Sequence, residues 1–137
     1  MLNKKVLFLS IIFSLILLLT TGCTVTYKAV GTYDNFNEIL IGTVKADLMT
    51  GGGEFQLKGK NTGISCIGKS NPPYYIPPFG TCNGQRGDGA AKCSDGRRIK
   101  FEWVAQSCTT GHGVGKDSEG NEFYFTFGFD EKEAQAY

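Results

Sequence analysis

Three glycine-rich breaks divide most of the chain into short segments. They lie at residues 51–53, 87–89 and 111–113. Each break is followed by a short run and then by a polar turn, and these turns end at Gly63, Gly96 and Gly120. An aromatic or β-branched run follows each turn. Short runs joined by tight turns predict three successive β-hairpins, which we interpret as degenerate repeats.

Strict alternation of apolar and polar residues supports this prediction. Ile99, Phe101 and Trp103 share one face of the run at 97–105, and phenylalanines occupy alternate positions from 123 to 129. A period of two is typical of half-buried strands. Only residues 130–137 favour a helix after the N-terminal segment. We therefore expect an all-β fold of antiparallel hairpins, arranged as an open meander, a small barrel or a sandwich.

The N-terminus has the layout of an export signal. Lys4 and Lys5 precede an apolar run at 6–19, which ends near the Gly22-Cys23 pair. The run is shorter than the roughly 20 apolar residues that a spanning helix needs. An ordinary cleaved signal or an uncleaved anchor would also fit the apolar run.

Residues 15–23 resemble the lipobox of bacterial lipoprotein precursors, although Thr20 stands where that family usually has Leu. The resemblance implies that a signal peptide at 1–22 is removed and that Cys23 carries lipid, including acyl chains such as palmitate. Thr24, in place of Asp, implies the outer membrane of a Gram-negative cell envelope, with the domain facing the periplasm or the outside. We expect residues 23–35 to form a lipidated tether.

Composition limits the size and the partners of the mature chain. Removing residues 1–22 from the 137-residue chain leaves 115 residues, enough for one small domain, which we place at 36–137. Without Lys4 and Lys5, 12 of the 14 basic residues remain against 13 acidic ones, so the net charge is close to −1. A nearly neutral chain lacks the basic surface that nucleic acid requires, and we expect no such partner.

Four cysteines remain once Cys23 is assigned to lipid. Outside the cytoplasm, an even set in a small domain indicates two disulfides, for which three connectivities are possible. We favour the sequential pairing of Cys66 with Cys82 and of Cys93 with Cys108. The chain has no Cys-x-x-Cys motif, and we expect neither a metal nor another cofactor.

A proline-rich loop at 71–79 carries the candidate binding residues. Two Pro-Pro pairs cannot donate hydrogen bonds to a sheet, so this segment is predicted to be a stiff excursion. It presents Tyr74, Tyr75 and Phe79, and rigid tyrosines are favoured in binding surfaces. The same side chains could instead fold back and cap one end of the sheet.

The last 50 or so residues resemble MORN repeats. The resemblance rests on Gly-x-Gly at 87–89 and 111–113, Asp95-Gly96, and the aromatic strand at 101–103. The cysteines and the lack of a regular Tyr-x-Gly after each turn depart from that pattern. The resemblance implies an elongated antiparallel meander used for binding rather than catalysis.

The sequence offers little for catalysis. His112, the only histidine, lies in Gly-His-Gly, where an exposed loop residue is a simpler interpretation than a general base. No nucleophile motif is present. We expect a non-enzymatic, membrane-anchored lipoprotein that binds another envelope protein or a surface component. The alternatives are a periplasmic enzyme or enzyme inhibitor acting on cell-wall or glycan substrates, and a structural subunit of an envelope complex.

Overall fold

A computed structural model describes residues 4–18, 22–33, 35 and 37–136. Helix α1 covers Lys4–Leu18, and a short helix α2 covers Glu131–Ala134. The eight strands are β1 Thr24–Tyr33, β2 Glu38–Asp47, β3 Gly53–Gly59, β4 Ser65–Ser70, β5 Arg86–Cys93, β6 Arg98–Ala105, β7 Gly111–Asp117 and β8 Glu122–Phe127. None of the helices in the described ranges is long and apolar enough to cross a membrane.

The strands form a closed antiparallel barrel in sequence order. Each strand pairs with the next, and β1 pairs with β8 to complete the circle. The prediction of an all-β antiparallel fold is confirmed, and of the three arrangements expected the barrel is the observed one. The sheet is closed rather than an elongated meander, and each of its eight strands has two neighbours.

Strand β1 occupies most of the segment that the sequence predicts to be a tether. Residues 24–33 pair with β2 along their whole length, and Ala29, Val30 and Tyr33 are buried. The tether prediction is wrong. Val25, Tyr27 and Tyr33 do fall on one face of this strand, but Ala29 and Gly31 stand between them on that face and interrupt the apolar alternation that is typical of a strand. The barrel therefore begins at Thr24, directly after Cys23, and not near residue 36.

Aromatic side chains fill the barrel interior. Phe101 packs edge to face with Phe55 and with Phe125, at ring-centroid distances of 5.2 Å in both cases. Trp103 lies edge on to Phe127, and its Nε1–H donates to Ser70 Oγ at 2.8 Å. These contacts confirm the inward face predicted for the strand at 97–105.

Glycines stand opposite the aromatic residues on neighbouring strands. The register pairs Gly87 with Trp103, Gly89 with Phe101, Gly113 with Phe125 and Gly111 with Phe127. A Cβ atom at Gly87 would clash with the indole ring of Trp103. The sequence predicts that the Gly-x-Gly units at 87–89 and 111–113 are breaks, and this prediction is wrong. They are parts of β5 and β7, where the absence of a side chain makes room for aromatic rings.

The disulfides differ from the sequential pairing predicted from the sequence. Cys66 bonds to Cys93, and Cys82 bonds to Cys108. Cys66 and Cys93 face each other in the register of β4 and β5, and both are buried. A Cys66–Cys82 bond is excluded because β4 runs away from Cys66 to the opposite end of the barrel before the chain reaches Cys82.

We predict that Gly87→Ala destabilises the barrel by about 1–3 kcal/mol, because the new methyl group overpacks against Trp103. Chemical denaturation followed by circular dichroism measures this loss. In a Trp103→Phe background the same substitution should cost clearly less, because the smaller ring leaves space. Equal losses in the two backgrounds would show that the glycine–indole contact is not the cause.

Candidate functional site

The connections between strands lie alternately at the two ends of the barrel. The proximal end, where the chain enters β1, contains Cys23 and the segments 48–52, 71–85 and 106–110. Gly128, where the chain leaves β8, lies against Thr109 of the last of these segments. The distal end contains the turns at 60–64, 94–97 and 118–121. This alternation follows because consecutive strands are antiparallel, and it places the proline-rich loop at the same end as Cys23.

Cys23 lies at the edge of the proximal end. Its side chain is exposed and unbonded, whereas the four other cysteines, all within the described residues, are in disulfides. The backbone N–H of Leu48 donates to the carbonyl of Cys23 at 3.1 Å. This bond holds Cys23 against the β2–β3 turn. Residues 19–21 of the predicted lipobox lie outside the described residues.

The proline-rich loop is fixed to the barrel by backbone hydrogen bonds. Tyr74 N–H donates to the carbonyl of Arg86 at 3.0 Å, and Arg86 N–H donates to the carbonyl of Tyr75 at the same distance. Gly84 N–H donates to the carbonyl of Ala105 at 2.8 Å. The loop is thus an ordered excursion, as its prolines predict.

The loops of the proximal end form one connected surface. A Cβ atom on Gly51 would lie 2.8 Å from Cδ of Pro73, so the β2–β3 turn lies against the start of the proline-rich loop. The Cys82–Cys108 bond joins the end of that loop to the β6–β7 connection. With a sequence separation of 26, this bond stabilises the fold by about 3.5 kcal/mol in the chain-entropy model.

Exposed apolar side chains concentrate at this surface. Among the described residues from 22 onwards, nine large hydrophobic side chains are exposed, and six of them lie here: Leu48, Met49, Tyr74, Tyr75, Ile76 and Phe79. Phe79 is fully exposed and has a positive φ of 64°, which is rare for a bulky residue. The candidate binding residues of the loop therefore point to solvent rather than folding back over the sheet.

Charge is distributed unevenly between the two ends. The segments 22–23, 48–52, 71–85 and 106–110 contain no Asp, Glu, Lys or Arg. Their nearest carboxylate along the chain is Asp47, the last residue of β2, whose Oδ1 accepts hydrogen bonds from the turn. The distal turns carry Lys60, Asp95, Arg97 and Glu119.

A buried ion pair organises the distal end. The Arg97 guanidinium lies 4.7 Å from the centre of the Tyr33 ring, 2.6 Å from Asp95 Oδ2 and 3.5 Å from Asp117 Oδ2. The Asp117 side chain is fully buried and accepts hydrogen bonds from the backbone of Glu119 and from the backbone and side chain of Asn121. The cluster joins the β5–β6 turn to Asp117 and fixes the β7–β8 turn.

The environment shifts three pKa values in this cluster. Burial acts to lower the pKa of Arg97, but its hydrogen bond to Asp95 and the neighbouring negative groups outweigh burial and raise it. Burial, the largest influence, raises the pKa of Tyr33 to about 12. Burial also acts to raise the pKa of Asp117, but the hydrogen bonds from Asn121 and Glu119 and the charge of Arg97 outweigh it. The pKa of Asp117 consequently lies below its ordinary value, so its carboxylate contributes to stability at neutral pH.

His112 lies on the outer wall, within β7, and is exposed. It borders a groove of about 470 Å³ that Val114, Tyr124 and Thr126 also line, with Ala134 of α2 at its edge. No carboxylate belongs to the described residues that line this groove. Among the described residues, no group of three His, Cys, Asp or Glu side chains is placed to hold a metal ion.

Known proteins share the fold of this chain but not its sequence. Neither a protein-family model nor a curated protein matches it. A redesigned β-barrel solved with bound DFHBI is similar with a TM-score of 0.55 and 12% identity, over 76% of this chain and 92% of that one. A de novo designed fluorescence-activating β-barrel has a TM-score of 0.51 and 20% identity, over 77% and 91% of the two chains. These likenesses concern the barrel fold alone.

We predict that the free energy of unfolding falls as the pH drops below about 4, the ordinary aspartate pKa. Below that pH the unfolded chain binds a proton at Asp117, whereas the folded protein, in which the pKa of Asp117 is lowered, keeps the carboxylate ionised. Asp117→Asn should lower stability by about 1–3 kcal/mol at neutral pH and flatten the acid limb of the profile. Urea denaturation across pH measures both effects. The exposed neighbour Glu119→Gln is the control, and an unchanged acid limb in Asp117→Asn would contradict the assignment.

Proposed function

We propose that the protein is a lipid-anchored lipoprotein of the bacterial cell envelope that acts as a non-enzymatic binding module. Its signal peptide at 1–22 is removed, and Cys23 carries the lipid. Thr24 favours the outer membrane as its destination. The observation that carries this proposal is the exposed, unbonded state of Cys23 directly before β1, while every other cysteine is in a disulfide.

The aromatic packing inside the barrel supports a binding role for its outer surface. Aromatic rings pack against one another across the interior, so a partner would meet the outer wall or the ends. On the wall, Val114 is 52% exposed and Tyr124 is 39% exposed, beside the groove that α2 borders. With the proximal end held at the membrane, this wall remains accessible to another envelope protein.

We predict that Cys23→Ser abolishes the incorporation of labelled palmitate and releases the protein from the membrane fraction. Several buried acyl chains at about 0.8 kcal/mol per methylene hold a protein firmly, and one substitution removes all of them. Cys82→Ser/Cys108→Ser is the matched control, since it also replaces cysteines but leaves Cys23 in place and should stay labelled. Labelled or membrane-bound Cys23→Ser protein would refute the anchor.

We further predict that Val114→Ser/Tyr124→Ser reduces the recovery of a partner when the lipidated protein is captured from its native envelope after cross-linking. The substitutions remove exposed apolar contact area without touching the barrel interior. Tyr74→Ser/Tyr75→Ser tests the proline-rich loop in parallel and should leave the recovery unchanged. Loss of the partner in the loop variant alone would move the binding surface to the proximal end.

A further inference from the structure

We infer that the proximal end of the barrel contacts the surface of the lipid bilayer, through the β2–β3 turn and the proline-rich loop. This inference rests on the proposed lipid anchor at Cys23 and goes beyond it. The anchor alone would attach the domain, whereas this contact would orient it. The ligand is the interfacial region of the bilayer, where headgroups meet acyl chains.

The first argument is the distance from Cys23 to the barrel. Strand β1 begins at Thr24, so no flexible residue separates a lipid on Cys23 from the paired strands. Thr24 already pairs with Asp47, and Leu48 N–H bonds to the carbonyl of Cys23. One residue spans at most about 3.6 Å, so the proximal end cannot move far from the membrane.

The second argument is the chemistry of the surface that this geometry places at the membrane. Met49 is 83% exposed and Phe79 is fully exposed, and each lies at the tip of its segment. Tyr74 and Tyr75 carry an apolar ring with a polar hydroxyl, the combination enriched at membrane–water interfaces. In water these side chains are an exposed apolar patch, and such patches indicate an interaction surface.

The third argument is charge. A charged group transferred from water into the bilayer interface loses hydration, at considerable cost. The proximal segments 22–23, 48–52, 71–85 and 106–110 contain no charged residue, whereas the distal turns contain several. An envelope protein docking here would also accept an apolar surface, but only the membrane is brought to this end by the anchor itself.

The rigidity of the loops favours shallow insertion. Backbone hydrogen bonds to β5 and the Cys82–Cys108 bond hold the proline-rich loop in place, so little conformational freedom is lost on contact. The turn Pro78–Gly80 holds Phe79 at positive φ, and its side chain projects fully into solvent. A strained bulky residue without packing contacts is consistent with a role in binding rather than in folding.

Tryptophan fluorescence in brominated vesicles tests the inference. The full lipidated protein is reconstituted in vesicles of phosphatidylethanolamine and phosphatidylglycerol, with and without bromine on the acyl chains. Trp103, the only native tryptophan, is 9% exposed and inside the barrel, and it gives the background signal. The emission that Phe79→Trp or Met49→Trp adds should be largely quenched in brominated vesicles. Its maximum should also shift to shorter wavelength when the new indole enters the bilayer interface.

Ile67→Trp is the matched control. Ile67 is also apolar and 61% exposed, but it lies on the outer wall of β4, beside Cys66 and towards the distal end. The emission that Ile67→Trp adds should not be quenched by bromine, so the variant should respond to brominated vesicles as the wild type does. Vesicle flotation of the same samples distinguishes failure of the anchor from failure of the contact. Protein that does not float with the vesicles refutes both the lipid anchor and the contact of the proximal end with the bilayer. Floating protein whose added emission stays unquenched in both Phe79→Trp and Met49→Trp refutes the contact alone.

Discussion

The pairing of aromatic rings with glycines on neighbouring strands sets the register of the second half of the barrel. Trp103 lies over Gly87 and Phe125 over Gly113, and a Cβ atom at either glycine would clash with the ring. A one-residue slip would turn the rings outward and leave the interior without its contents. Gly31 of β1 likewise leaves space for the ring of Phe123 of β8. The strand that closes the barrel therefore obeys the same constraint.

This constraint decides which parts of the molecule remain for function. A barrel interior filled by its own rings leaves the outer wall and the two ends. The two ends share one way of stabilising their turns. The Asp117 carboxylate at the distal end accepts two backbone N–H groups, and so do the Asp47 carboxylate and the Ser107 hydroxyl at the proximal end. The ends differ instead in their connecting segments, because 48–52, 71–85 and 106–110 contain no charged residue.

The sequence was informative where a strand shows its own pattern. The inward face of β6 could be predicted because Ile99, Phe101 and Trp103 alternate with charged residues. Closure could not be predicted, because it depends on β1, whose apolar alternation is interrupted by the small inward residues Ala29 and Gly31. The disulfides depend on register across the sheet: Cys66 and Cys93 meet only because β4 and β5 pair, and spacing along the chain carries no such information. The exposed loop could be proposed, but not its position beside Cys23.

The position of the proline-rich loop beside Cys23 depends on residues 24–33, which form β1 and not the tether predicted from the sequence. Had residues 24–35 been flexible, the barrel could present any face to the membrane, and an apolar loop would be a candidate for any partner. Because β1 starts at Thr24 and the carbonyl of Cys23 is bonded to Leu48, a lipid on Cys23 determines the orientation of the barrel as well as its location. With the lipid proposed for Cys23, the end whose connecting segments are apolar and contain no charged residue would lie next to the bilayer, and the charged distal turns would be directed away from it. Strand β1 thus has two roles: it closes the barrel by pairing with β8, and it holds Cys23 beside the surface proposed to contact the bilayer.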